Sequence, residues 1–508
     1  MCGILAAVRT DLTPQALEEA LTLMTHRGPD YSGNWSNQEV WLGHLRLAIL
    51  DLDPRSNQPF TLGKLRMVYN GEIYNYLELI KEHHLQVHTA GDTEVVLAMY
   101  QKYGKDCLKY FNGMFAFVIY DEETGDVFAA RDRLGIKPLY FRNLQKGWLF
   151  SSEIAPLIQL KDSPIDAFAI RQYRKLRMTV REHTIYEDIK FFPAAHYFFN
   201  GTFHAYWDLD VSPKEPPTDE ELQALIEDAV KIRRRADVPL GCYLSGGLDS
   251  TILSFLVKPE HVWTVGFPNL NEFEWSSLAN EKLKSKLHQI TVNKREFIQI
   301  GQWMVQKRKE PLSVPNEILL YLMTKVVKTK NTVILSGEGA DELFWGYDRI
   351  FKWAHAQKEF DLRGFDEKYC YGSHRDDEVL DYALENIKGH TPLEKTAYYF
   401  QIVHLQGLLR RVDNSTMLCS VEARVPFVDH RLVERLAGTP FEWKMGNSFK
   451  EPLKRIFKNL LPKAIIERKK IGFPVPLESI FTNREQGTPM DAWLDFNLQA
   501  LNIKTQTP

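Results

Sequence analysis

The 508-residue chain has no long apolar run. Nowhere does it offer the ~20 consecutive apolar residues that a membrane-spanning helix needs. No basic stretch followed by an apolar core marks its start, so a secretory signal is not expected. Cysteine is scarce: Cys2, Cys107, Cys242, Cys370 and Cys419 lie far apart, without a Cys-x-x-Cys pair. This spacing excludes a disulfide framework and a structural zinc site, and it suits a reducing, cytoplasmic setting. A charge excess is also missing, and a net charge of -3 gives no electrostatic basis for binding nucleic acid or an anionic membrane. Internal repeats and low-complexity tracts are absent. What remains, 44% apolar and 25% charged residues, is the composition of a globular protein long enough for more than one domain.

The most informative stretch is Ser245-Gly246-Gly247-Leu248-Asp249-Ser250, after the apolar run Val238–Leu244 and before Thr251–Leu256. The pattern is strand, glycine turn, helix. Two glycines let the backbone approach a ligand, and the N–H groups, the hydroxyls of Ser245 and Ser250 and a helix start favour phosphate. Asp249 can hold a Mg²⁺ bridging phosphate oxygens. No Gly-Lys-Ser/Thr follows, so it is not a Walker loop. A chance surface turn is the plain alternative. The stretch resembles the pyrophosphate loop of the ATP pyrophosphatases, which form adenylates and release pyrophosphate.

At the other end, Cys2 begins a short apolar strand, Gly3–Val8. With Met1 removed, the Cys2 α-amine, of pKa about 7.7–8.0, can act as general base for its own thiol. The alternative is a buried structural cysteine. Further along come a helix pattern from Pro14 to Met24, the turn His26-Arg27-Gly28-Pro29-Asp30, and a strand from Val40 to Asp51 carrying Arg46. Met67-Val68-Tyr69 follows, closing in the turn Asn70-Gly71-Glu72; then come a helix start at Ala90–Glu94 and the runs Gly113–Asp121 and Arg131–Tyr140. Many short strands with polar turns suggest a layered, strand-rich domain. Taken singly, Arg46 could be a surface ion pair, Asp92 a helix N-cap and Asn70-Gly71 a hairpin turn. His26 and His44 read as structural polar residues.

This set resembles the class II glutamine amidotransferases across residues 1–210. The resemblance implies an N-terminal-nucleophile αββα sandwich, in which Cys2 attacks the side-chain amide of glutamine to give a thioester and ammonia. Asn70 and Gly71 would form the oxyanion hole. Arg46 would pair with the glutamine α-carboxylate, and Asp92 and Glu72 would meet its α-ammonium or neighbouring polar groups. Leu47, Ile49 and Leu50 would line the pocket.

Ser212-Pro213-Lys214-Glu215-Pro216-Pro217 reads as a hinge, and Thr218 caps a helix expected to run through Arg235. Domains of 1–211 and 212–508 follow. Beyond the hinge, strands alternate with helices, as in an open, mostly parallel α/β sheet. Loops at Ser245, Gly266 and Ser336 sit at strand carboxyl ends, where such sheets bind ligands.

This second half is similar to the synthetase domain of the asparagine synthetase family, over residues 215–480. The resemblance implies an ATP site framed by Leu244, Val265, Gly266, Ser336 and Gly337 with the Ser245–Ser250 loop. It further implies Mg²⁺ on Asp249 and Asp341, and Glu338 as a catalytic group beside an acyl-adenylate. Lys450, in the family's Lys-x-x-Leu-Arg pattern with Lys454 in place of arginine, would neutralise phosphate charge; a solvated helix face is its alternative. The segments Glu422–Asp429 and Arg468–Pro476 also resemble the family, with no catalytic step assigned. The two halves together imply glutamine-dependent amidation of an ATP-activated carboxylate, with ammonia passing internally. A homodimer is one expected assembly.

The acceptor is the open point. Family members that use aspartate carry a Thr- and Arg-containing segment between the second and third ATP loops. Here that region, Lys309-Glu310-Pro311-Leu312-Ser313-Val314-Pro315-Asn316-Glu317-Ile318-Leu319-Leu320-Tyr321, has no arginine. Aspartate, giving asparagine, AMP and pyrophosphate, is the first expectation. The carboxylate of a sugar, cell-wall precursor or natural product is the second. An inactive relative or a cyclase of the β-lactam synthetase type stands against intact Cys2, Asn70, Gly71, Asp249 and Lys450.

Overall fold

The computed structural model describes residues 1–370, 375–446, 448–468, 472, 474–482 and 487–504. Lys469, Lys470, Ile471 and Phe473 of the Arg468–Pro476 segment lie outside the described residues, as do Thr505 to Pro508 of the tail.

Residues 3–205 build two six-stranded antiparallel sheets. Gly3–Val8 is buried along its whole length because it is an inner strand, between Val40–Arg46 and Trp148–Ser151. Its alternate residues serve two cores, as a pleat with both faces covered requires. Ile4, Ala6 and Val8 face the second sheet, packing with Val68, Ala116 and Val118. Leu5 and Ala7 face outward, onto Leu17, Ala20 and Leu21 of the helix Pro14–Thr22. In the second sheet Gly113–Asp121 lies between Leu65–Ile73 and Val127–Arg131. Its outward residues Phe115 and Phe117 are fully buried with Val95, Val96 and Met99 of the helix Thr93–Tyr103. The layers are therefore helix, sheet, sheet, helix, as expected for an N-terminal-nucleophile hydrolase fold.

The second half carries a five-stranded parallel sheet in the order Lys286–Thr291, His261–Gly266, Leu240–Tyr243, Val333–Leu335, Glu422–Arg424. The last strand, three residues long, is too short to show a pattern in sequence. A helical layer between residues 348 and 417 packs around Phe351, Phe365, Tyr399 and Phe400.

Three local expectations shift. The run from Val40 is extended only to Arg46; beyond it Ala48 N–H donates to Asp30 (2.8 Å) and the chain arches away. Asn70 and Gly71 lie within the strand Leu65–Ile73 rather than in a turn, opposite Ala116 and Phe115. The helix capped by Thr218, whose side chain accepts from Glu221 N–H, ends at Ile232, and Arg235 turns to Glu78 at 2.6 Å.

The halves share one buried apolar cluster, in which Met1, Met114, Leu134 and Ile136 meet Val425, Phe427 and Val428. Beside it, Asp429 accepts from Asn112 Nδ2 (3.1 Å) and Arg233 Nη1 (2.7 Å). Among the described residues no helix is long and apolar enough to cross a membrane.

Candidate active site

Cys2 sits against the strand Leu65–Ile73. Its backbone N–H donates to Asn70 Oδ1 at 3.0 Å. That bond orients the Asn70 amide, whose Nδ2 is buried and has no hydrogen-bond partner among the described residues. Such a group is costly unless something meets it. At Gly71, any Cβ would lie 2.3 Å from the Met114 carbonyl oxygen, so only glycine permits this strand approach. Burial pushes the Cys2 thiol pKa up, while the N-terminal charge, a backbone hydrogen bond from Leu47 and Arg46 pull it down. The net is upward, and the thiol needs a base.

Around it, Arg46 is buried rather than a surface ion pair. It donates to Asp53 O (3.0 Å), Asn57 Oδ1 (2.7 Å) and Leu50 O (3.3 Å), and to Asp51 O. These bonds hold the arch carrying Leu47 and Ile49, both buried, and half-buried Leu50. Asp92 precedes the helix Thr93–Tyr103 without capping it. Its Oδ2 instead accepts from Tyr69 O–H (2.7 Å) and Ile73 N–H (2.6 Å), and burial raises its pKa to about 6. Burial and the neighbouring Glu422 raise the Glu72 pKa well above the carboxylate range. His44 Nε2–H donates to Tyr69 O (3.2 Å) with its pKa lowered by burial to about 3, and His26 pairs with Glu153 at 2.9 Å. Both contacts agree with a structural reading of these histidines.

Sequence inspection assigned no role to four residues that complete this site. Glu422 and Arg424 reach it from the parallel sheet of the other half. The Met1 ammonium lies 3.1 Å from Glu422, which pairs with Arg424 at 2.5 Å, and Arg424 stands 3.5 Å from Glu72. Arg27, fully buried, donates to the Cys2 carbonyl at 3.1 Å and pairs with Asp413 at 2.9 Å. The cues were present in His26-Arg27-Gly28-Pro29 and Glu422-Ala423-Arg424, but only the fold brings them to Cys2.

A second site opens at the carboxyl ends of the parallel strands, in a cavity of about 470 Å³. Leu244, Ser245, Gly247, Asp249 and Ser250 line it, with Val265, Ser336, Gly337, Glu338, Asp341 and Lys450. Gly246 and Gly266 do not. Gly246 has φ +75°, and a Cβ there would lie 2.4 Å from the Trp275 carbonyl carbon. At Gly266 a Cβ would fall 2.4 Å from Asn271 Cβ. The turn is closed internally: Ser245 Oγ accepts from Gly247 N–H (3.2 Å) and lies 3.0 Å from Ser250 Oγ. It opens the helix Leu248–Val257.

Lys450 is not on a solvated face. It is 1% exposed, precedes the helix Glu451–Phe457 in a left-handed conformation (φ +58°), and its Nζ lies 2.5 Å from both Asp249 Oδ2 and Asp341 Oδ1. Burial pulls its pKa down, but the two carboxylates outweigh that and raise it. Gly346, unnoticed in sequence, is required here, since its Cβ would lie 1.8 Å from Asp341 Oδ1. Behind it, burial and Asp341 raise the Glu342 pKa to about 8, and Tyr347 O–H donates to that carboxyl at 2.7 Å. On the far side Glu338 pairs with Arg411 at 2.7 Å.

A cysteine next to the chain start, facing an amide donor with no partner among the described residues, and a glycine turn opening on a cavity of a parallel sheet point to a two-part enzyme: a glutamine amidotransferase joined to a synthetase. Comparison with known proteins agrees. Residues 1–207 match the glutamine amidotransferase domain family and residues 221–495 the asparagine synthase family. The chain belongs to the glutamine-hydrolysing asparagine synthetase family. Asparagine synthetase (glutamine-hydrolysing) 1 of Bacillus subtilis is 28% identical over 97% of this chain and 89% of its own length. A putative asparagine synthetase (glutamine-hydrolysing) of Methanocaldococcus jannaschii is 33% identical over 68% of this chain and 76% of its own. An amidase of Gibberella zeae is 28% identical over 89% and 82%.

Proposed function

We propose that the protein uses glutamine and ATP to convert a carboxylate into its amide. Residues 1–211 would act as glutaminase and 212–508 as synthetase, in a cytoplasmic enzyme that can pair as a homodimer. The observation that carries the first half is Asn70 Nδ2 beside Cys2, buried and with no partner among the described residues. With Met1 removed, the Cys2 α-amine takes the thiol proton and Sγ attacks the glutamine amide carbon. The developing oxyanion meets Asn70 Nδ2 and the Gly71 N–H. The C–N bond then breaks, ammonia leaves with the proton from the amine, and water later frees glutamate from the thioester. Arg46, Glu72 and Asp92, with Leu47, Ile49 and Leu50 around them, would orient the glutamine.

In the second half the Ser245–Ser250 loop and Ser336-Gly337 would bind ATP, with Leu244, Val265 and Gly266 at its nucleoside end. The acceptor carboxylate attacks the α-phosphorus and pyrophosphate departs. Lys450 neutralises charge on the phosphates. Mg²⁺ fits the same place: Asp249 and Asp341 already hold a cation, the Lys450 ammonium, between hard oxygen donors. An ion held by these two carboxylates would complete its shell with phosphate and water. When bound it would withdraw charge from the phosphate oxygens. Ammonia then attacks the acyl-adenylate carbon, Glu338 takes its proton and AMP leaves. The apolar cluster joining Met1, Met114 and Ile136 to Val425 and Phe427 supports a dry passage between the sites.

Aspartate, yielding asparagine, is the acceptor that the relatives' names favour. A different carboxylate is the second reading, favoured by the arginine-free segment 309–321. There Glu310 and Glu317 are both engaged by Arg308, at 2.7 and 2.8 Å, and Asn316 lines the cavity. The test is pyrophosphate release dependent on ATP and glutamine across a panel of carboxylates. Release with aspartate is expected; none above background with aspartate, beside release with another acid, would assign that acid instead.

A further inference from the structure

Arg411 resolves the missing arginine. It leaves the helix Leu405–Met417, distant in sequence from the segment 309–321, yet its side chain, 11% exposed, enters the same cavity. Nη2 meets Glu338 at 2.7 Å, and Nη1 is 3.4 Å from Asn316 Oδ1.

Other cations at this cavity are committed elsewhere. Lys450 is held between Asp249 and Asp341. Lys454 donates to Ser448 Oγ (3.0 Å) at the same, phosphate-facing end. Arg468 is closed by Glu272 and the Gly246 carbonyl. Arg411 alone among these stands at the Glu338 end. Each terminal nitrogen of a guanidinium carries two N–H groups. Arg411 can therefore accept an anion while keeping Asn316, or exchange Glu338 for it.

We propose that Arg411 is a specificity-determining residue that binds a second, non-reacting anionic group of the acceptor, so that the enzyme selects doubly acidic carboxylates. The assignment rests on the adenylating role of the cavity argued above. The reacting carboxylate must reach the α-phosphate near Lys450, while Arg411 lies beside Glu338 and takes the other acid group. An anion arriving there competes with Glu338 for the guanidinium. Glu338 is then released from its ion pair and can take the proton that ammonia loses as its C–N bond forms. Acceptor binding and readiness of the base would thus be one event.

The test uses the full chain with ATP, Mg²⁺ and ammonium chloride, which bypasses Cys2, and measures pyrophosphate release. Three matched pairs differ only in the second acid group: L-aspartate and β-alanine, succinate and butyrate, D-glucuronate 1-phosphate and D-glucuronate. The doubly acidic member of a used pair should show a kcat/KM at least ~100-fold higher. Arg411→Ala should raise its KM about 100-fold and shift the KM for ATP less than about 3-fold, and Arg411→Lys should recover part of the loss. Unchanged ATP-induced thermal stabilisation establishes that each variant is folded. Equal use of both members of each used pair, or an Arg411→Ala enzyme with reduced kcat and unmoved acceptor KM, overturns the assignment while leaving adenylation standing. Release by the wild-type enzyme with none of the six overturns adenylation and the assignment together.

Discussion

Arg411 and Asp413 leave one helix on different faces and reach the two active sites. Arg411 pairs with Glu338 in the ATP cavity, whereas Asp413 pairs with Arg27, whose Nε holds the Cys2 carbonyl. Residues two apart on a helix do not share a face. One rigid element therefore supports both chemistries.

Asp413 also meets Lys137 at 3.3 Å, so two buried cations depend on it. Asp413→Ala would leave both without this counter-charge, a change that typically costs about 3–5 kcal/mol. Denaturant titration should show that loss, and glutamine hydrolysis should fall more steeply than ammonia-driven pyrophosphate release.

Cys2→Ala would remove the proposed nucleophile, which does not line the second cavity. Glutamine hydrolysis should disappear, while pyrophosphate release with ammonium chloride should stay within about 3-fold of wild type. Parallel loss of both activities would refute the division of labour.

Asp92 has a folded pKa of about 6, above its ordinary 3.8, because it is buried. The folded state thus binds this proton more tightly than the unfolded chain. The group's stabilising contribution is complete below about 3.8 and is lost as pH rises through about 6. The glutamine-binding role proposed for Asp92 would run the other way, since only the ionised acid attracts an α-ammonium. The kcat/KM for glutamine should decline as pH falls below about 6, and Asp92→Asn should abolish that limb at lower overall efficiency.

Lys450→Ala should lower kcat for pyrophosphate release by ~100- to 1,000-fold, the scale for removing one preorganised charge from a transition state. Glutamine hydrolysis in the same protein serves as control. Because Asp249 and Asp341 would lose their shared cation, the variant's apparent Mg²⁺ requirement should shift measurably.

The apolar run Gly3–Val8, the glycine turn at Ser245 and the strand–helix alternation beyond the hinge are all local patterns, set by backbone sterics and side-chain periodicity. Hence a strand-rich first half and a parallel sheet after the hinge were legible from these patterns, while the sandwich and most candidate residues came from the family resemblances. The end of the strand at Arg46 was not, because it depends on carbonyls of Leu50, Asp51 and Asp53 folding back onto the guanidinium. Nor was the burial of Lys450, which depends on two aspartates from separate loops.

By itself, then, the sequence determined which chemical groups the protein carries: a thiol next to the chain start, a glycine turn between strand and helix, and Asp249 within it. Only the tertiary structure decided how they are joined. Glu422 and Arg424 of one half lie at the glutaminase site of the other, and Arg411 fills the place left by an arginine-free segment. Electrostatic interactions act through space with strengths set by distance and burial, so partners remote in the chain become visible only when folding brings them within hydrogen-bond reach.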